Sequence, residues 1–123
     1  LTKGILAPYI SNPDDLVYYD EYDITECLVP GKNVLGIMLG NGMQNAPGGQ
    51  IWDFDIAAFR GAPRTAFCVS TEYIDGGIDI FEADSSVKTA PSPVIFDDLR
   101  CGCYYDARLE IPGWSEPDFD DRI

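Results

Sequence analysis

Residues 65–73 place Phe67, Val69, Thr71 and Tyr73 at every second position. Side chains of an extended strand alternate between its two faces, so these four share one face. The run stops at Asp75-Gly76-Gly77, a sequence that supplies the positive-φ positions of a tight hairpin. Ile78-Asp79-Ile80-Phe81 then returns as the partner strand. The middle of the chain is thereby committed to antiparallel β structure.

The remainder is punctuated in the same way. Asn12-Pro13-Asp14-Asp15 and Pro30-Gly31-Lys32-Asn33 are turn clusters. Leu16-Val17-Tyr18-Tyr19 reads as a strand continuing to about Tyr22. Asp23 to Leu28 suits one helical turn capped by Asp23 or Thr25. Asn33 to Leu39 is an almost unbroken apolar run, as expected of a strand covered on both faces, and Gly40-Asn41-Gly42 ends it. Met43 to Asp55 is long, irregular and rich in amides, a kind of loop that is often functional. Val94-Ile95-Phe96 and Cys103-Tyr104-Tyr105 are further short strands. Short strands joined by turns, with no long amphipathic helix, predict an all-β fold of the β-sandwich class. The 123 residues suffice for one domain spanning 1–123, with no internal boundary or repeat.

Eight basic residues against 21 acidic ones give a net charge of −13. Phosphate backbones and anionic lipid surfaces repel such a chain, so neither nucleic acid nor membrane is an expected partner. No segment is apolar enough over its length to span a bilayer as a helix. A neutral sugar or a bound cation is compatible with the charge. The chain opens at Leu1-Thr2-Lys3 with neither an initiator Met nor a basic leader. A fragment of a longer polypeptide is expected, with its compartment, cytoplasmic or exported, left open. Histidine is absent, which removes Cys/His zinc patterns and any Ser-His or Cys-His dyad. Cys27, Cys68, Cys101 and Cys103 form no Cys-x-x-Cys pair, and Cys101-Gly102-Cys103 is tight for a disulfide. Buried free thiols are expected.

The order of motifs resembles the N-terminal accessory domain of bacterial α-L-rhamnosidases. Leu6-Ala7-Pro8, Tyr22-Asp23-Ile24-Thr25, and Pro30 to Gly36 followed by Gly40-Asn41-Gly42 carry the likeness. So do Asp75-Gly76 with Asp84-Ser85-Ser86-Val87-Lys88. The most specific block is Tyr105-Asp106-Ala107-Arg108-Leu109-Glu110 with Gly113-Trp114 and Phe119-Asp120-Asp121. The resemblance implies a jelly-roll sandwich of the galactose-binding-like kind that starts after the family's first strands, which would leave one sheet edge open. It also implies that catalysis belongs to a helical barrel elsewhere in the polypeptide, so no catalytic residue is expected here. Three positions depart from the family pattern: Met43 and Val87 stand where Trp is usual, and Cys103 where Glu is usual.

Sugars are held by aromatic platforms and planar polar groups. Asn41, Gln44, Asn45, Trp52 and Asp53 are therefore the candidate set for a rhamnose-containing glycan. The alternative is that Trp52 and Phe54 pack the loop down while the acids face water. Asp53 and Asp55 offer carboxylates for calcium, the one cofactor considered. Tyr105, Asp106, Arg108 and Trp114 are expected to be structural, tying this domain to a catalytic neighbour. Strand alternation would put Asp106 and Arg108 on one face as an ion pair. Two functions follow from the resemblance: rhamnoside recognition or guiding, and a purely structural role against the catalytic barrel.

Overall fold

The fold comes from a computed structural model, which describes residues 7–12, 14–47, 53 and 56–122. Trp52, Phe54 and Asp55 lie outside the described residues. Among the described residues the chain is all-β, with two antiparallel two-stranded sheets and two short 3-10 turns, consistent with a β-sandwich. It divides into two units, Leu1–Gly36 with Pro112–Ile123, and Ile37–Ile111.

Within the second unit, β1 (Cys68–Glu72) pairs with β2 (Ile78–Glu82) in the register Cys68↔Glu82 to Glu72↔Ile78. The predicted hairpin forms where the sequence places it. Gly76 takes φ +83°, a conformation that costs glycine nothing. Its N–H donates to the Tyr73 carbonyl, and the Asp75 carboxylate accepts from Gly77 N–H. On one face the Phe67 and Phe81 rings stand 6.1 Å apart, and the Tyr73 hydroxyl donates to Asp79. The opposite face carries Ile78 and Ile80, 62% and 63% exposed.

The second sheet pairs β3 (Val94–Asp98) with β4 (Gly102–Tyr105), with a register shift between Val94 and Phe96. Phe96 and Tyr104 stack at 5.0 Å. At the hairpin end, one carboxylate oxygen of Asp98 accepts from the N–H groups of Arg100 and Cys101. Asp98 and Ala46 are the buried residues among those described.

In the first unit, the 3-10 turn Thr25–Cys27 has Ile24 at its N-cap with no side-chain cap bond; neither Asp23 nor Thr25 caps it, and the Asp23 carboxylate instead accepts from Thr25 N–H in a local Asx-turn. Gly31 is at φ +96°, and the Asn33 side chain bridges back to Val29 and Gly31.

Three further expectations are corrected. Leu16 to Tyr22 forms no ladder; Tyr18 instead meets Tyr9 edge-on at 6.4 Å. Val34 to Leu39 is also outside any strand, and its large apolar side chains are exposed rather than covered. An apolar run encodes a demand for burial but not the surface that meets it, and no described residue supplies a ladder partner. The four cysteines are free as expected but exposed. Cys68 lies on the open β1–β2 sheet and Cys103 on β4, whose residues are all exposed, so their surroundings do not bury them.

Candidate functional site

The amides of residues 41–45 are tied to the β3–β4 sheet and to the segment that follows the loop. Asn41 N–H donates to the Asp97 carboxylate at 2.7 Å, and Asn41 Nδ2 donates to the Asp97 carbonyl at 2.8 Å. Asn45 Nδ2 donates to Asn41 Oδ1 at 2.8 Å, and the Arg60 guanidinium donates to Asn45 Oδ1 at 3.2 Å. Gln44 Nε2 donates to the Phe59 carbonyl at 2.9 Å, while Gly61 N–H returns to the Gln44 carbonyl. A Cβ at position 40 would lie 2.9 Å from the Asp97 carboxylate, so a larger residue than Gly40 would push that side chain aside.

The sequence therefore selected three residues that do sit together, Asn41, Gln44 and Asn45, and each side-chain nitrogen already makes one bond within the chain. Trp52 lies outside the described residues. Asp53 is exposed, with φ +51°, and its carbonyl accepts from Ile56 N–H. Asp55, the second candidate calcium ligand, is outside the described residues. Among those described, no three His, Cys, Asp or Glu side chains converge. Beside Asn41 an open groove of about 370 Å³ is lined mainly by Met38, Leu39, Ser92, Phe96, Asp97 and Cys103.

The sequence reading missed Asp97, Asp98, Phe59 and Arg60. A signal existed for the first two: paired aspartates directly before Leu99-Arg100 are turn-forming chemistry at a strand end.

The Tyr105–Glu110 block forms a second cluster. Asp106 leaves the strand and becomes the N-cap of a 3-10 turn, Ala107–Leu109, accepting from Arg108 N–H. Arg108 adds two side-chain bonds to the same carboxylate, at 2.8 and 2.6 Å. The pair thus arises from a cap and not from strand alternation, since an i, i+2 spacing fits both. Asp106 is largely covered at 19% side-chain exposure, whereas Arg108 is open at 89%. The Tyr105 hydroxyl donates to Glu110. In the other unit Trp114 lies against Gly36, and Lys32 pairs with Asp118.

These bonds set protonation. The Arg108 side chain, then its N–H, holds the Asp106 carboxyl below its ordinary value, and Arg122 does the same for Asp120. Thr25 lowers Asp23 through backbone and then side-chain bonds, and Ser86 lowers Asp84. The bond to Glu110 raises the Tyr105 hydroxyl, and the bond to Asp79 raises that of Tyr73.

A lowered carboxyl contributes stability above the unfolded value of about 4, lost as pH falls through the lower folded value. A raised tyrosine contributes below about 10, lost as pH climbs past the raised value. The urea midpoint should therefore decline at both extremes. Asp106→Asn keeps the cap but removes the titrating charge, and should flatten part of the acid limb. An unchanged acid limb contradicts the assignment.

Hairpins, a capped 3-10 turn and a tied-down polar loop make up the described strand-built structure. Comparison with known proteins gives its family. The pattern of the α-L-rhamnosidase N-terminal domain matches residues 1–123, and the chain belongs to that family. It is 37% identical over 119 residues to an α-L-rhamnosidase of Formosa agariphila, covering 95% of this chain and 12% of the relative. It is 32% identical over 117 residues to one of Streptomyces avermitilis, covering 95% and 11%. An Alteromonas α-L-rhamnosidase is 30% identical over 101 residues, covering 81% and 11%. The chain thus spans about one-ninth of the length of the relatives it matches. No solved structure matches it. Among the described residues, no helix is long and apolar enough to cross a membrane.

Proposed function

We propose that the chain is a non-catalytic, structural domain of an α-L-rhamnosidase, which acts on rhamnose-containing substrates through a catalytic domain elsewhere in the polypeptide. The observation that carries this reading is the commitment of the loop amides. A polar group already bonded within the chain must give up that bond before it can hold a sugar hydroxyl, and the exchange gains little. Asn41 has both ends of its side chain engaged, Asn45 is bonded to Asn41 and Arg60, and the Gln44 donor is held by Phe59.

Two further features support it. Ile78 and Ile80 are exposed on the face they share with Ser70, Glu72 and Glu82, a mixed surface that suits contact with other parts of a larger protein. Asp23, Asp84, Asp106 and Asp120 each titrate below the ordinary carboxyl value, so none of these four is set up as a general acid. A glycosidase general acid requires a raised value.

The groove beside Asn41 favours a second reading, in which the domain recognises or guides a rhamnoside. Calorimetric titration with L-rhamnose and rhamnosylated oligosaccharides, with and without calcium, separates the two. The structural reading expects no saturable heat at millimolar sugar. Saturable heat abolished by Asn41→Ala establishes the second.

A further inference from the structure

Ile37 to Leu39 is apolar, exposed and outside any strand, and among the described residues no backbone bond engages positions 37–40. Backbone N–H and C=O groups beside apolar side chains need partners once water is excluded. Across the groove lies β3, which pairs with β4 on one edge and, among the described residues, with no strand on the other. The two sides are pinned together by the bonds from Asn41 to Asp97. Along β3 the lining takes four consecutive residues, Val94 to Asp97, and opposite them it takes Met38 to Asn41. Side chains of a strand alternate between its faces, so a groove that meets four in a row runs beside the strand rather than over one face. We infer that this groove is a strand slot, filled by an extended apolar segment of the rhamnosidase polypeptide that lies outside residues 1–123.

The chemistry of the groove selects the occupant. An added strand takes main-chain hydrogen bonds from an open sheet edge, and its side chains fill the pockets beside it. Here those side chains would meet Met38, Leu39 and Ile95, all exposed. A second copy of the chain would bring its own charge of −13 to a surface of the same sign. A segment of the same polypeptide needs no such encounter, because covalent linkage holds it at high effective concentration. The chain covers only 12% and 11% of two α-L-rhamnosidases it resembles, so in those relatives most of the polypeptide lies outside the matched part. The slot rests on the structural role proposed above and gives that role a specific contact. Filling it would also cover the open edge of β3, which otherwise invites pairing with any extended chain.

The test is amide hydrogen exchange read by mass spectrometry, comparing the longer rhamnosidase polypeptide with the 123-residue chain alone. The amides of residues 37–39 should exchange freely in the chain alone and slow by ~10²-fold or more in the longer polypeptide, as laddered amides do. Met38→Pro and Leu39→Pro remove neighbouring N–H groups, which a strand aims at opposite edges. In the longer polypeptide one of these substitutions should abolish the protection and the other should keep it. Both should leave the unfolding midpoint of the chain alone unchanged. Equal exchange in the two contexts overturns the slot and leaves the structural role standing, which the sugar titration tests separately. The slot is also overturned by protection already present in the dilute chain, by protection that grows with the chain's own concentration, by protection conferred by L-rhamnose, or by equal effects of the two prolines.

Discussion

Asp97→Ala should lower the stability of the chain by ~1–3 kcal/mol, the cost of leaving a part-buried donor without its acceptor. The Asp97 carboxylate accepts the Asn41 N–H at 2.7 Å, and the same residue's carbonyl holds Asn41 Nδ2. Asn41 in turn receives both the N–H and the side-chain amide of Asn45. Losing the carboxylate therefore loosens a chain of bonds running through the loop. Urea unfolding should show a lower midpoint, and amide exchange at Asn41 and Asn45 should accelerate. Asp97→Asn retains an oxygen acceptor and should lose less. If Asp97→Ala unfolds at the parent midpoint, the loop is not held from β3.

Gly36→Ala should be comparably damaging for a steric reason. A Cβ at this position would lie 2.7 Å from Cζ3 and 2.8 Å from Cη2 of the Trp114 ring. An indole is rigid, so relief requires the ring or the backbone to move. Overpacking of a well-packed site costs ~1–3 kcal/mol, and because Trp114 is 43% exposed the expected loss lies at the lower end of that range. Trp114→Ala removes the obstacle, so Gly36→Ala should cost much less on that background, giving a clear coupling energy in a double-mutant cycle. Trp114 fluorescence in a Trp52→Phe background should shift in Gly36→Ala. Strictly additive effects would show that the ring does not rest on Gly36.

Legibility in the sequence followed the distance between partners. The 67–83 hairpin could be read because alternation and the Asp75-Gly76-Gly77 turn are both local signals. The Asn12–Asp15 turn was visible for the same reason. The apolar run from Val34 to Leu39 announced a need for burial, but burial depends on surfaces remote in sequence, and here those side chains are exposed. The cysteines were misplaced by the same gap. Residue types in the loop were legible, whereas their partners were not: Asp97 is 56 positions from Asn41, and Phe59 is 15 from Gln44. Those distant partners tie the amides into the rest of the chain. Asp106 and Arg108 were seen as a pair, but their spacing suits a capped turn as well as a strand.

The proposed structural role rests on the loop amides being bonded within the protein itself. Isothermal calorimetry of the chain against a rhamnosylated oligosaccharide tests this most directly, run beside an Asn41→Ala variant. The account predicts flat titrations for both proteins, with a lower unfolding midpoint for the variant. A saturable isotherm in the parent chain that disappears in Asn41→Ala would contradict it.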